Sequence, residues 1–236
     1  MLRTIWWFFY FFGYLIYSLP TIKKVKNLDS ALTVEEKDTI IHQKPKHWAK
    51  TLVNITGSEI EVVGQEKIPN GPVLFVSNHQ GNFDVPILIG FLQKPLGFIS
   101  KEEVKKIPLV HRWMEAMNCV FIDRKDRRKA IQSIREGIQT LKDGHSLVIF
   151  PEGTRSKGNK MGEFKKGGLR LATDSKVPVV PITISGSYKI MEESKLGFQP
   201  AQVKVTVHDP IFLPEDEKVD GNQLGMEVQN KIKQHL

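Results

Sequence analysis

Val73-Leu74-Phe75-Val76-Ser77-Asn78-His79-Gln80-Gly81-Asn82-Phe83-Asp84 is the stretch on which the reading of this chain turns. Its first four residues form an apolar run behind Pro72, short enough for a buried strand. The run stops at Ser77-Asn78, a polar loop carries His79, Asp84 follows, and Val85 to Leu92 reads as a helix. A histidine therefore stands where a strand gives way to a helix, with a carboxylate five residues further on. In open α/β sheets that edge is where ligands bind. An imidazole takes a proton from a hydroxyl most readily when a carboxylate holds its second nitrogen, because that bond fixes the tautomer and stabilises the imidazolium. Taken alone, His79 and Asp84 are better read as a loop histidine beside a helix-capping aspartate. The rest of the chain decides between the two.

Outward from this stretch, strands and helices alternate. Glu59 to Val63 reads as a strand, and Asn70-Gly71-Pro72 as a turn. Gly97-Phe98-Ile99-Ser100 reads as a strand ending at Lys101, Pro108 to Met117 as a helix, and Cys119 to Ile122 as a strand ending at Asp123-Arg124. Asp126 caps a helix with Ile131, Ile134, Ile138 and Leu141 on one face, closed by Gly144. Ser146 to Phe150 reads as a strand that ends in Pro151-Glu152-Gly153-Thr154-Arg155. Lys165 to Ser175 reads as a helix, Val179 to Ile184 and Val203 to Val207 as strands, and Leu224, Val228 and Ile232 mark a last helix. This order predicts an α/β fold over residues 58–236, a mixed central sheet covered by helices. Several strands end in polar residues: His79, Lys101, Arg124 and the Glu152 to Arg155 loop. If those ends share one edge, the polar side chains meet in one cleft.

Residues 1–57 have a different character and form a second unit. Ile5-Trp6-Trp7-Phe8-Phe9-Tyr10-Phe11-Phe12, then Gly13 and Tyr14-Leu15-Ile16-Tyr17, is apolar all the way round and slightly short for a bilayer span. Trp and Tyr favour the headgroup interface, and Lys23, Lys24 and Lys26 follow the run. The segment reads as a helix that dips into or anchors in a membrane, with the basic residues on the cytoplasmic side. Ser18-Leu19-Pro20 is a poor cleavage site, which argues against a signal peptide. Thr33-Val34-Glu35-Glu36 has capping-box spacing and starts a second helix. Pro45 is expected to interrupt it, and Trp48, Leu52 and Ile55 form an apolar stripe beyond. The two helices form a membrane-associating hairpin, and the stripe faces either lipid or the main domain.

With a net charge of +8 and a pI near 9.4, the 236-residue chain favours an anionic partner. Its single cysteine, Cys119, allows no internal disulfide and no cysteine-based zinc site. Gly162-x4-Gly167-Gly168 lacks the Lys and Ser/Thr of a Walker A loop, and neither a Gly-x-Ser-x-Gly elbow nor a His-Glu-x-x-His pair is present. No metal or resident cofactor is expected. Lysines are dispersed and no nucleic-acid recognition motif stands out.

Four blocks together resemble the glycerolipid acyltransferase family, in its bacterial lysophosphatidate branch. They are Asn78-His79-x4-Asp84, Phe121-Ile122-Asp123-Arg124, Phe150-Pro151-Glu152-Gly153-Thr154-Arg155-Ser156 and Val177-Pro178-Val179-Val180-Pro181-Ile182. Each block is moderately specific, and four in order are highly so. The resemblance implies His79 as general base, Asp84 as its orienting partner, and direct acyl transfer to the free 2-hydroxyl of a lysophospholipid without an acyl-enzyme. It implies Arg124 and Arg155 as ligands of the acceptor phosphate, which suits the guanidinium fork, with Lys101 adding charge. It implies Glu152, Gly153 and Thr154 as the shape of the acceptor site, Glu152 holding a glycerol hydroxyl or an arginine. The implied co-substrates are lysophosphatidic acid and an acyl thioester, of coenzyme A or acyl carrier protein. The implied location is the cell membrane, active site at the cytoplasmic face. Two other readings stand beside it: an acyltransferase for glycerol 3-phosphate or another lysolipid, and a non-catalytic protein that binds anionic membranes through its basic surface.

Overall fold

The computed structural model describes residues 2–165, 167–194 and 196–236. In chain order the helices are α1 (Leu2–Tyr17), α2 (Leu19–Val25), α3 (Val34–Ile55), α4 (Asp84–Phe91), α5 (Val110–Ala116), α6 (Arg127–Lys142), α7 (Arg170–Ser175), α8 (Tyr188–Met191) and α9 (Gly221–Lys233). The strands are β1 (Glu59–Val63), β2 (Leu74–Ser77), β3 (Gly97–Lys101), β4 (Val120–Ile122), β5 (Leu147–Ile149), β6 (Val179–Ser185) and β7 (Gln202–Val207). They form one sheet in the order β1-β7-β6-β2-β5-β3-β4.

Strands β6, β2, β5, β3 and β4 run parallel, so their C-terminal ends lie on one edge. Strand β7 is antiparallel to β6, and β1 is parallel to β7. A parallel strand is covered on both faces, which is why β2 and β5 read as unbroken apolar runs. By contrast β7, second from the edge, alternates buried with exposed positions.

The pleat sends Phe75, Val148 and Ile182 to one face, where Ala49 and Val53 of α3 and Ile87 and Leu88 of α4 cover them. Leu74, Val76, Leu147 and Ile149 point to the other, under Leu141 of α6, Leu171 of α7 and Val228 of α9. The α3 stripe thus packs into the main core through Leu52, while Trp48 and Ile55 are half-buried.

Three expected elements differ. The apolar N-terminal helix breaks at Ser18 and bends by 45° between α1 and α2. No single described helix is long and apolar enough to cross a membrane, and only this bent pair qualifies by length and composition. Helix α3 starts at the expected capping box of Thr33 and Glu36 but runs unbroken through Pro45. The helix expected from Lys165 begins only at Arg170, because Gly167 has φ +98°, outside the helical region; Lys166 lies outside the described residues.

Candidate active site

His79 sits two residues beyond β2, on the edge where β5 and β6 also end. Its loop is held in place by side chains buried beneath it. Asn78 bridges to β6, its Nδ2 donating to the Ile184 carbonyl and its Oδ1 accepting from the Ile184 amide, both at 2.8 Å. Gln80 Oε1 accepts from the Gly186 amide at 2.8 Å. On the other side, the Ser156 and Lys157 amides donate to the His79 and Gln80 carbonyls at 2.8 and 3.0 Å. The loop is therefore tied to the segments that follow β5 and β6.

His79 Nδ1 lies 2.7 Å from Asp84 Oδ2, across the turn into α4. Asp84 is fully buried and takes two further donors: the Gly81 amide at 2.9 Å and the Ser187 hydroxyl, which bonds its other oxygen. With Nδ1 committed to the carboxylate, Nε2 is the nitrogen turned away from the dyad. The imidazole stacks on Phe150 with centroids 4.1 Å apart and planes 17° from parallel. The ring retains 19% of its side-chain exposure, so it is both held and reachable. This is the arrangement a general base requires: a fixed tautomer, a buried counter-charge and an open nitrogen.

The Phe150 to Arg155 loop supplies the rest. Glu152 is buried, and its oxygens accept from the His79 amide at 2.6 Å and the Gly162 amide at 2.7 Å. Burial raises its carboxyl above the usual range, and those two amides pull the other way. The sequence reading expects Glu152 to hold a glycerol hydroxyl or an arginine; here both oxygens are taken by backbone, and the residue braces the His79 loop. Gly153 has φ +71°, a left-handed turn that favours glycine. Arg124 donates to the Gly153 carbonyl. Arg155 pairs with Glu192, just after α8, at 3.2 Å, and the same Glu192 oxygen accepts from the Asn82 amide at 2.8 Å. Arg124 thus ties the Glu152 to Arg155 loop to the end of β4, and Arg155 ties it to the segment after α8. Thr154 and Lys101 are exposed at the same edge.

Asn82 and Phe83, in the His79 loop, also line an apolar cavity of about 420 Å³. Its walls come from Trp7 and Phe11 of α1, Trp48 of α3, Phe98 of β3, Met114 of α5 and Cys119. The Cys119 thiol is pushed up to about 12 by burial, which rules it out as a nucleophile. Among the described residues no group of three or more His, Cys, Asp or Glu side chains is placed to hold a metal.

Ser187, Gln80, Glu192 and Phe150 received no role from the sequence. One signal pointed to the first of them: Ser187 follows the end of β6 as His79 follows the end of β2, and the same rule applied to both would have found it.

Comparison with known proteins gives this edge a family. The profile described as "Acyltransferase" matches residues 59–185. A "Probable 1-acyl-sn-glycerol-3-phosphate acyltransferase" of Mycoplasma pneumoniae is 36% identical over 192 residues, covering 76% of this chain and 72% of the relative. The 1-acyl-sn-glycerol-3-phosphate acyltransferase BAT2 of Brassica napus, a chloroplastic protein, is 36% identical over 75% of this chain, which spans only 50% of its length. The crystal structure of the 1-acyl-sn-glycerophosphate (LPA) acyltransferase, PlsC, from Thermotoga maritima superposes with a TM-score of 0.83 at 29% identity, over 99% of this chain and 95% of that one. The chain belongs to the acyltransferase family and is an enzyme of acyl transfer.

Proposed function

We propose that this acyltransferase moves a fatty acyl group from a thioester to the sn-2 hydroxyl of 1-acyl-sn-glycerol 3-phosphate, yielding phosphatidate, with His79 as general base. The observation that carries the reading is the His79–Asp84 hydrogen bond in the loop whose Asn82 and Phe83 line the apolar cavity. The acceptor hydroxyl gives its proton to Nε2 as its oxygen attacks the thioester carbonyl. The tetrahedral intermediate collapses, the imidazolium returns the proton to the departing sulfur, and a free thiol and the new ester remain. Asp84 stabilises the transient imidazolium. No acyl-enzyme forms. Positioned base catalysis contributes about 10²–10⁴-fold in rate, and orientation of the two substrates supplies much of the rest.

The cavity suits the donor's acyl chain, being narrow, apolar and within the usual size range of ligand sites. Arg155 and Arg124 offer the guanidinium forks that a phosphate monoester needs. The names of the relatives, which specify 1-acyl-sn-glycerol 3-phosphate, support this acceptor. Ile5, Trp6, Phe9 and Ile16 of α1 are exposed, and Lys23, Lys24 and Lys26 follow; this face suits the interfacial region of an anionic membrane at its cytoplasmic side.

The test is steady-state acyl transfer with purified protein, lysophosphatidate and an acyl thioester. Wild type forms phosphatidate, and His79→Ala loses at least about 10³-fold in rate while its vesicle binding persists. Transfer by His79→Ala at the wild-type rate would sink the reading. Glycerol 3-phosphate and other lysolipids in the same assay fix the acceptor.

A further inference from the structure

On the opposite face of the sheet from the apolar cavity, between α6 and α7, lies a second groove of about 710 Å³. Its floor is apolar, made of Ile99, Ile149, Ile134 and Ile138. Its rim is basic: Arg124, Arg127, Arg135, Lys142, Lys165 and Arg170 all line it. The one carboxylate in its lining among the described residues, Asp174, is paired with Arg170 at 3.0 Å. Arg127 and Arg135 are exposed and have no ion pair among the described residues. Basic charge held at an apolar groove and left uncompensated is complementary to an anion carried on an apolar stem.

The groove is continuous with the reaction site. Phe150, which stacks on His79, lines the groove as well, and Arg124 at its mouth donates to the Gly153 carbonyl. Helix α6 begins at the catalytic edge and runs away from it, so the step from Arg127 to Arg135 is about 12 Å and that to Lys142 about 22 Å. Positive charge is thus strung along a track that starts at the same sheet edge as the imidazole. The apolar cavity leaves the same edge on the other face of the sheet.

An acyl thioester has two arms of this kind. One is the fatty chain. The other is the thiol carrier, which in coenzyme A is an arm of methylene and gem-dimethyl segments joined by two amides, followed by phosphates. We propose that the groove between α6 and α7 seats the phosphate-bearing arm of a coenzyme A thioester. This rests on the acyl-transfer reading and adds the identity of the donor. Size argues for the small molecule over an acidic carrier protein. The volume falls within the range of small-molecule sites, about 300–1,000 Å³, whereas a stable protein partner requires roughly 1,200–2,000 Å² of buried surface. Arg127 and Arg135 bind phosphate here, and the isoleucine floor receives the arm.

The experiment compares two donors carrying the same acyl chain, one on coenzyme A and one on pantetheine, which has no phosphates, with the acyl carrier protein thioester as a control donor. Each is used with lysophosphatidate on wild type, Arg127→Glu/Arg135→Glu and Arg135→Lys. Wild type prefers the coenzyme A thioester in kcat/KM by about tenfold or more, the size of a charge-assisted contact. The double reversal brings the two donors to parity through a raised KM for the coenzyme A thioester, leaves the KM for lysophosphatidate near its wild-type value, and keeps the pantetheine rate, which reports that the protein is folded. Arg135→Lys retains the preference. A wild type indifferent to the phosphates overturns the proposal. So does a double variant whose lysophosphatidate KM rises in step, which would make the groove an acceptor site, and so does a loss confined to acyl carrier protein donors, which would make it a protein-docking face. Absence of transfer from every thioester would overturn the acyl-transfer reading itself and this proposal with it.

Discussion

Ser187 bonds the oxygen of Asp84 that His79 leaves free, and it does so at full burial. A hydrogen bond to an ionised group contributes about 1.5–3 kcal/mol, and here it helps hold the carboxylate that bonds the His79 ring. Ser187→Ala removes the donor to one Asp84 oxygen and leaves the carboxylate held only through the other, by the Gly81 amide and His79. The expected result is a fall in kcat of about tenfold with both KM values near wild type, since the interaction is indirect and made through the dyad; unaltered kcat would remove Ser187 from the positioning network. His79 and Asp84 were legible in the sequence because their partnership is local, five residues across one strand-to-helix turn. Ser187 lies 103 residues from Asp84 and Glu192 lies 110 from Asn82. No spacing announces such pairs, since the sheet order that joins β2 to β6 creates them. Glu152 shows the complementary case. Its presence beside Gly153 and Arg155 was evident, but that its oxygens face backbone amides depends on how two loops cross.

At the scale of the element, α3 is instructive. Pro45 lacks an N–H and crowds the carbonyl four residues back, a cost of about 3 kcal/mol in a helix interior, and the sequence reading therefore breaks the helix there. Burial of Ala49, Leu52 and Val53 against the sheet and α4 outweighs it, a tertiary effect that periodicity does not display. Strands with long apolar runs and helices with clear caps, at Thr33 and Asp126, were the legible elements because their signals are local. The packing of α3 on α4 rests on Gly90, where an added Cβ would come within 2.8 Å of the Lys50 amide nitrogen and 2.9 Å of its Cα. Gly90→Ala therefore forces two backbones apart. It is expected to lower stability by about 1–3 kcal/mol in a denaturant titration, with activity falling too, because α4 begins at Asp84. His42 of α3 makes the fold acid-sensitive. It is buried, its Nε2 has no partner, and burial foremost, with Lys46 adding, drives the imidazole down to about 4 from the ordinary 6.5. The unfolded chain thus binds the proton that the native state refuses, so stability is complete above pH 6.5 and is lost as pH falls toward 4. Between about pH 7 and pH 5 the loss from this residue is about 2 kcal/mol. His42→Gln should flatten that slope in urea melts at the two pH values; an unchanged slope would show that His42 takes up its proton inside the fold.

At the scale of the whole molecule, the two faces of α1 differ: one lines the apolar cavity and the other is exposed. Trp7, Phe11 and Leu15 point inward at helical spacing and line the apolar cavity, and Trp7 meets Phe83 of the His79 loop at 6.0 Å between ring centroids. The Trp7 indole donates to the Leu52 carbonyl at 3.0 Å, and Trp48 returns a bond to the Phe11 carbonyl at 3.4 Å, so α1 is fastened to α3 by directed contacts as well as by stacking. The outward face carries Trp6 at 65% exposure and Phe9 at 72%, an apolar surface that a monomer in water rarely leaves open. On the proposed function, one helix walls the cavity offered to the acyl chain and presents the face offered to a membrane, so lipid-borne substrates would arrive next to the His79 loop. Trp6→Glu/Phe9→Glu alters only the outward face. Losing two aromatic side chains from the interface is expected to weaken binding to anionic vesicles by at least about tenfold in a sedimentation assay. Transfer to lysophosphatidate presented on those vesicles falls in parallel. Transfer to a short-chain acceptor dissolved as monomer continues at the wild-type rate, because the inward face, the dyad and the loop are untouched. Equal losses on dissolved and vesicle-bound acceptor would mean that this face stabilises the cavity and does not deliver the enzyme to its membrane.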